Sequence, residues 1–286
     1  MQELINKANI LCEALPYIRK LAKKTVVIKY GGNAMNEEAT AGIMQDVAML
    51  KIVGVNPVLV HGGGPEINAL LDKLHIKSQF HKGLRITDKA SMEVVQMVMA
   101  GKINKNITSA LASLGVKAIG LTGKDAALIT VKKLPPQDGV DLGYVGEVTG
   151  INTKLIRMLC EDEFVPVIAG IGTDEHGESY NINADTVASE VAAALNAEKL
   201  IYLTDIDGIR RIENDPSTLI SEISVAEINR MIGSGQIAGG MIPKVKGCIN
   251  GVERGIGRVH VINGRIPHPI LLELFTDKGI GTMVTL

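Results

Sequence analysis

Pro57-Val58-Leu59-Val60-His61-Gly62-Gly63-Gly64-Pro65-Glu66 is the stretch whose reading decides the fold. Its first four residues form a short apolar run without polar alternation, the pattern of a strand buried on both faces. Three glycines follow, and they let backbone N–H groups approach an anion with no Cβ in the way. Pro65 suits the first position of a helix running to Leu74, because a helix start leaves that N–H without an internal partner anyway. The dipole of that helix points its positive end at the glycine turn. A tight strand-to-helix turn would explain a single triple glycine equally well, so the rest of the chain has to decide.

The same rhythm extends in both directions. Thr25–Tyr30 is a β-branched run followed by a helical pattern over Glu38–Val53. Val116–Leu121, Val165–Ala169, Leu200–Leu203 and Val259–Ile262 are further short apolar runs, most with a helical pattern nearby. Such alternation predicts an α/β fold, a mostly parallel sheet covered by helices. Between Ala126 and Gly150 the rhythm breaks: Pro135-Pro136, Asp138-Gly139 and Gly143 separate short alternating pieces, the signature of β-hairpin structure. A boundary near residue 180 would give each half its own strands and helices.

Composition removes several classes. The chain has 286 residues, 30 basic and 31 acidic side chains, and 46% apolar residues. That apolar content excludes disorder throughout, and the length fits one large domain or two lobes. Near-neutral charge gives no general pull toward nucleic acid or an anionic membrane. With no tryptophan and three phenylalanines, stacking platforms for single strands are scarce. Cys12, Cys160 and Cys248 are far apart and form no CxxC pair, which argues against a disulfide framework or thiolate zinc site and fits a reducing cytoplasm. No stretch approaches the ~18 apolar residues of a membrane span. Glu3 and Glu13 interrupt the N-terminal apolar pattern, unlike a secretory signal.

The first 24 residues stand apart. Leu4, Leu11, Leu15, Ile18 and Leu21 fall near one face of a helix that Pro16 should kink. That face either packs on its own chain or forms an arm against another subunit, and periodicity leaves both open.

Two more glycine turns follow predicted strands, Lys29-Tyr30-Gly31-Gly32-Asn33 and Ala169-Gly170-Ile171-Gly172-Thr173. Three turns at the carboxyl ends of parallel strands, one directly after a lysine, favour anion binding, since ligands of open α/β sheets sit there. Other phosphate motifs fail. Gly123-Lys124 precedes Asp125, so there is no P-loop. Gly233-Ser234-Gly235-Gln236-Ile237-Ala238 matches GxGxxA but follows a helical pattern and opens no βαβ unit. HExxH and GxSxG do not occur, and the six histidines are scattered, so no resident metal and no serine triad is expected.

The second half carries its own polar segments. Tyr180-Asn181-Ile182-Asn183-Ala184-Asp185 enters a helix over Thr186–Leu195, with Asn183 as N-cap and Asp185 in the first turn, where an acid is favourable. Leu203-Thr204-Asp205-Ile206-Asp207-Gly208-Ile209 ends another buried strand. Gly239-Gly240-Met241-Ile242-Pro243-Lys244 opens a further helix with a lysine, which opposes the dipole unless an anion lies between.

Together, Lys29-Tyr30-Gly31-Gly32, His61-Gly62-Gly63-Gly64, Gly83-Leu84-Arg85-Ile86-Thr87, Asn181-Ile182-Asn183-Ala184-Asp185, Thr204-Asp205-Ile206-Asp207-Gly208 and Gly240-Met241-Ile242-Pro243-Lys244 resemble the amino-acid kinase family. The resemblance runs in the family's order from about residue 25 to the C-terminus. The KxGG, HGGG and final-lysine segments are family-wide, and GLRxT with NxNAD narrows it to the branch that phosphorylates N-acetyl-L-glutamate in arginine biosynthesis. Gly239 departs from the pattern, since some relatives carry an Asp there.

The resemblance implies a three-layer αβα sandwich of two lobes: residues 25–180 for the amino acid and dimerisation, and 181–286 for ATP, preceded by the arm over 1–24. It implies transfer of the γ-phosphoryl of MgATP, the Mg2+ arriving with ATP, to the side-chain carboxylate of N-acetyl-L-glutamate. Lys29 and Lys244 would neutralise the migrating phosphoryl group from opposite sides, with Asp185 orienting both. Gly31, Gly32, Gly62 and Gly63 would line the phosphoryl and carboxylate oxygens, Arg85 would clamp the α-carboxylate, and Asn181 would hold the acetamido group. Thr204, Asp205, Ile206, Asp207, Gly208, Ile209 and Arg210, with Gln236, Ile237 and Ala238, would line the adenosine pocket. Similarity to the arginine-inhibited branch adds Tyr17, His268, Glu273 and Gly279 as an arginine site, and a hexamer of three dimers interlaced through the kinked arms.

That chemistry suits the residues. Joining a carboxylate to a polyphosphate requires cancelled repulsion, and a carboxylate nucleophile needs no general base. Two other readings fit the same sequence: a kinase for an aminoadipate-type acylated or carrier-bound amino acid, and a non-catalytic sensor on this fold.

Overall fold

The computed structural model describes residues 1–31, 37–212, 215–237 and 241–286, without the side chains of residues 7, 37, 38, 243 and 244. The chain opens with α1 (Gln2–Glu13) and α2 (Leu15–Leu21), then β1 (Thr25–Tyr30), α3 (Glu37–Ile52), β2 (Asn56–His61) and α4 (Gly64–Lys73). A hairpin of β3 (Gln79–His81) and β4 (Leu84–Ile86) leads to α5 (Lys89–Gln96), a π-helical segment over Met97–Ile103, α6 (Asn104–Ser113) and β5 (Ala118–Leu121). Next come β6 (Ile129–Lys133), β7 (Gly146–Ile151), α7 (Thr153–Glu161), β8 (Val165–Ala169), β9 (Ile171–Thr173) and β10 (Ser179–Asn181). The last third contains α8 (Ala184–Leu195), β11 (Lys199–Thr204), β12 (Glu222–Ser224), α9 (Val225–Gly233), α10 (Met241–Glu253), β13 (Val259–Asn263), α11 (Pro269–Leu274) and β14 (Thr282–Thr285).

Eight strands form one sheet in the order β12-β14-β13-β11-β1-β2-β8-β5. All neighbours are parallel except β13 and β14. The order grows from β1 outward on one side, through β2, and then returns to place β11 on its other side. β1 is therefore the switch point of an open α/β sheet, the position beside which ligands bind.

Side-chain alternation along each strand sorts the core into two faces. Val27, Val58, Val60, Leu200 and Tyr202 pack with Val187 and Val191 of α8, Val245 and Cys248 of α10, and Ile156 of α7. Val26, Ile28, Leu59, Ile201 and Leu203 point the other way, onto Ile43 and Val47 of α3, Leu111 of α6 and Ile270 of α11. The chain is thus the three-layer α/β sandwich expected from the alternating runs. The segment read as hairpin is β6 paired antiparallel with β7, and it joins β9 and β10 in a second, four-stranded sheet. The three-residue strands β3, β4, β9, β10 and β12 were not expected; runs that short carry no readable period.

The third glycine turn does something else than anticipated. A Cβ on Gly170 would stand 2.7 Å from the Ile182 carbonyl oxygen, and one on Gly172 would stand 2.4 Å from Val131 Cγ1. These glycines admit neighbouring chain, and Ile182 N–H donates to the Gly170 carbonyl at 2.9 Å. They bring the residues before α8 against the end of β8.

At the N-terminus, Pro16 lies in the first turn of α2 and the break from α1 falls at Ala14. Leu21 is buried in the core, whereas Leu4, Ile10, Leu11 and Leu15 are 63%, 64%, 66% and 57% exposed. The α1 part of the apolar stripe and Leu15 therefore do not pack on their own chain, whereas Leu21 does. Among the described residues, no helix is long and apolar enough to cross a membrane.

One long-range polar contact fixes α11 to α3. Asp46, fully buried, accepts from His268 Nδ1 at 2.7 Å, from Ile270 N–H at 3.0 Å and from Leu271 N–H at 3.4 Å. It caps a helix more than two hundred residues away. Removing it leaves the buried Ile270 N–H and the half-buried Leu271 N–H without this acceptor, so Asp46→Ala should lower unfolding free energy by about 2–4 kcal/mol in a urea titration. An unchanged midpoint would show that this clasp does not hold α11.

Candidate functional site

The site is assembled at the carboxyl edge of the large sheet. Alternation puts Lys29 on the same face as Val27, toward α8, and Lys29 lies at the end of β1, where the apolar layer stops. Its Nζ lies 3.0 Å from Asp185 Oδ1 and donates to the Gly31 carbonyl at 3.2 Å. Asp185 is in the first turn of α8 because Asn183 caps that helix, its side-chain oxygen accepting from Asp185 N–H at 2.7 Å. The Tyr202 hydroxyl, 2.6 Å from Ser189 Oγ, donates to the Asp185 carbonyl at 3.3 Å. Burial raises the pKa of that phenol, which keeps it a neutral donor.

The glycine turns after β1 and β2 meet the start of α8. A Cβ on Gly31 would lie 3.4 Å from Gly62 N, and one on Gly62 would lie 3.4 Å from Ala184 Cβ. Gly31 also has φ +128°, which L side chains rarely adopt. A Cβ on Gly63 would fall 2.7 Å from Ile103 Cδ1 and 3.0 Å from Met99 Cγ of the π-helical segment. Gly62 and Gly63 N–H groups donate to no acceptor among the described residues. The structure thus brings Lys29, Gly31, Gly62, Gly63 and Asp185 together. Lys244 falls in the first turn of α10, one turn before Cys248, whose thiol pKa is raised by burial and then by the charge of Asp185. The side chain of Lys244, and all of Gly32, lie outside the described residues.

On the β2 side of β1, a cavity of about 160 Å³ is lined by Gly62, Gly63, Phe80, Arg85, Asn181 and Ala184. Arg85 is 7% exposed. Its guanidinium donates to Ser78 Oγ and to the Gly64 carbonyl at 3.5 Å, and it lies 4.7 Å from the centre of the Phe80 ring. Burial lowers its pKa, and among the described residues no carboxylate pairs with it. A buried cation whose partners are all neutral is costly unless an anion completes the site. Asn181 Nδ2 donates to Thr87 Oγ1 at 3.3 Å and borders the same cavity.

On the β11 side, a cavity of about 300 Å³ is lined by Asp205, Ile206, Asp207, Gly208, Ile209, Arg210, Gln236 and Ile237 together with Met241 and Asn263. Thr204 does not line it but accepts from Ile206 N–H at 3.3 Å and so shapes the turn. Ala238 lies outside the described residues. Asp207 has a lowered pKa because Asn263 Nδ2 donates to it at 2.7 Å and Arg210 pairs with it at 2.5 Å. Gly208 is required: a Cβ there would stand 2.5 Å from Thr282 Oγ1. Asn263 was missed by sequence reasoning, although it ends a buried strand as Thr204 does, and that signal would have found it.

A third cavity, about 590 Å³, opens between α2 and the C-terminal segment. Tyr17, Glu273 and Gly279 line it, with Lys20, Lys199 and Arg258. His268 does not; its ring is held by Asp46. Burial would raise the Glu273 pKa, but hydrogen bonds from His260 at 2.6 Å and Ile280 N–H at 2.7 Å outweigh it and hold the carboxyl low. Burial lowers Lys199 to about 8.

Comparison with known proteins places the chain in a family. The model of the amino acid kinase family matches residues 24–263. Acetylglutamate kinase of Caldicellulosiruptor saccharolyticus is 57% identical over 290 residues, covering 100% of this chain and 99% of that one. Acetylglutamate kinase of Methanocaldococcus jannaschii is 51% identical over 294 residues, covering 100% and 98%. Among solved structures, N-acetylglutamate synthase from Neisseria gonorrhoeae, complexed with coenzyme A and N-acetyl-glutamate, superposes with TM-score 0.87 at 27% identity. It covers 98% of this chain, which spans 63% of the synthase. Carbamate kinase from Giardia lamblia shares the fold at TM-score 0.67 and 18% identity, over 92% of this chain and 99% of its own. By the family model over residues 24–263 and by relatives matched along its whole length, the chain belongs to the amino acid kinase family.

Proposed function

We propose that this chain is an acetylglutamate kinase, moving the γ-phosphoryl group of MgATP onto the side-chain carboxylate of N-acetyl-L-glutamate to give N-acetyl-L-glutamyl 5-phosphate and ADP in arginine biosynthesis. The observation that carries the reading is Arg85, a buried guanidinium with only neutral partners at the wall of a cavity beside the glycine turns. The relatives at 50–57% identity over the full chain carry the same name.

In this reading the α-carboxylate pairs with Arg85 and the acetamido group reaches Asn181. The side-chain carboxylate then points to the Gly62–Gly63 turn, beside Lys29. ATP occupies the cavity on the other flank of β1, with its adenosine between Asp205–Arg210 and Gln236–Ile237 and its phosphates directed at β1. The magnesium ion enters as part of the MgATP substrate. Residues 25–180 then serve the amino acid and residues 181–286 serve ATP.

The nucleophile is already a carboxylate, so no proton has to be removed from it. What the site supplies is charge and position. Lys29, anchored by Asp185, neutralises one side of the migrating phosphoryl group, and the N–H groups of Gly62 and Gly63 receive its oxygens. Lys244 serves the opposite side. Because these donors are fixed before the reaction, their contribution is realised where charge develops, in the transition state.

Regulation follows from the third cavity and the arm. The mixed charges around Tyr17, Lys199, Glu273 and Gly279 suit a zwitterionic amino acid, and we assign this cavity to arginine as inhibitor. The exposed stripe of α1 suits a partner arm in a cytoplasmic hexamer of three dimers.

Lys29→Met should fold normally and lower kcat on the order of 100-fold or more in an ADP-release assay; near-native turnover removes its role. Arg85→Ala should raise the KM for N-acetyl-L-glutamate with a smaller change in kcat, and an unchanged KM removes the clamp. N-acetyl-L-glutamate, glutamate, aspartate, carbamate and an N-acylated aminoadipate, each tried in the same assay, separate the reading from related kinases, and inactivity with all five would favour a sensor. Deleting residues 2–13, which leaves Leu21 in the core, should reduce the oligomer seen by light scattering and weaken inhibition by added arginine. An unchanged oligomer would dismiss the arm.

A further inference from the structure

His61 closes the strand before the triple glycine and is fully buried, yet it is no part of the machinery described above. Its Nδ1 lies 3.0 Å from the Gly62 carbonyl oxygen and its Nε2 lies 3.1 Å from Asn104 Nδ2. The direction of each bond can be settled by counting protons. Asn104 Nδ2 carries two hydrogens. One goes to the Val167 carbonyl at 2.9 Å, an acceptor that also forbids the flipped amide, since that would set two oxygens face to face. The Asn104 Oδ1 meanwhile accepts from Lys105 Nζ at 3.2 Å. The second Nδ2 hydrogen lies between His61 Nε2 at 3.1 Å and the Leu121 carbonyl at 3.5 Å; a proton on Nε2 would face the amide's own hydrogens at the shorter contact, so Nε2 is the acceptor and bears none. A neutral ring then carries its proton on Nδ1 and donates it to the Gly62 carbonyl.

We infer that His61 is a positioning residue: through its Nδ1–H it locks the Gly62–Gly63 peptide plane so that the Gly63 N–H faces the reacting oxygens. The carbonyl of Gly62 and the N–H of Gly63 belong to one planar trans unit and point in opposite directions. Pinning the carbonyl onto the buried ring turns the N–H away from the core, toward the cavity that Gly63 lines. Glycine would otherwise let this plane rotate. The π-helical segment contributes from the other side. It sets Met99 and Ile103 against Gly63 and delivers Asn104, the first residue of α6, to the imidazole. Burial first, and the charge of Lys105 as well, push His61 down to about 4, so the ring stays neutral at working pH.

The inference rests on the kinase reading, but its test separates the two. In the full-length protein, nitrogen NMR of histidine, assigned by the signal lost in His61→Asn, should show His61 as the Nδ1–H tautomer and unprotonated from pH 6 to 8, a range set about the ordinary histidine value. His61→Leu should lower kcat on the order of 10- to 100-fold with little change in the KM for ATP, in line with misdirecting one oxyanion donor. His61→Asn, whose side-chain N–H takes the place of Nδ1–H, should recover most of that loss. An Nε2–H tautomer overturns the inference whether or not the variants fold. Equal kcat for the Leu and Asn variants overturns it too. A wild-type protein that phosphorylates nothing would instead sink the kinase reading, while the tautomer would still decide the lock.

Discussion

The side-chain alternation of β1 is the constraint on which the rest depends. Val27 must face α8 to fill the core, and Lys29, two residues on, inherits the same direction. Its ammonium group therefore leaves the sheet where α8 begins, and Asp185 is there to hold it at 3.0 Å. A one-residue slip of β1 would turn both Val27 and Lys29 toward α3, away from Asp185, so register and chemistry are locked together. The parallel pairing of Lys29 with Val60 and with Tyr202 fixes that register from both neighbours.

Glycine turns make the second contribution by bringing three chain segments into contact. With no Cβ on Gly31 or Gly62, the turn after β1 lies on the turn after β2, which lies on Ala184 at the start of α8. The positive ends of α4 and α8 thus converge on one small volume next to a cation, although a cation gains nothing from a helix N-terminus. Asp185 balances part of that positive potential, and the remainder favours an anionic occupant. Arg85 adds a second cation, one with no carboxylate partner among the described residues, at the wall of the smaller cavity. Two anionic groups of one ligand, or of two reacting ligands, are what this electrostatic layout accommodates.

Much of this was legible in the chain. The parallel sheet followed from apolar runs without alternation, the hairpin from its prolines and glycines, and the Asn183 cap from the residue types before α8. Lys29 and Asp205–Arg210 were legible as the ends of buried strands, whereas the pocket role of Asp205–Arg210 and of Gln236–Ile237, which follow α9, came only from the family resemblance. Three features were not. Gly170 and Gly172 looked like a third anion turn, but their purpose is to let Ile182 and Val131 approach, a packing demand invisible without the neighbour. His268 resembled an effector ligand, yet it serves Asp46 from more than two hundred residues away. His61 and Asn104 carried no local signal, since their partnership exists only after α6 has crossed behind β2.

The central claim is that a lysine held by an aspartate receives the migrating phosphoryl group beside a carboxylate clamped by Arg85. The most direct test is a crystal structure with N-acetyl-L-glutamate, MgADP and a metal-fluoride mimic of the transferring phosphoryl group. The account predicts Lys29 Nζ within hydrogen-bond reach of the mimic's equatorial ligands, the Gly63 N–H on the same group, and Arg85 paired with the α-carboxylate. A mimic bound away from Lys29, with Arg85 still facing only Ser78, Phe80 and the Gly64 carbonyl, would contradict it.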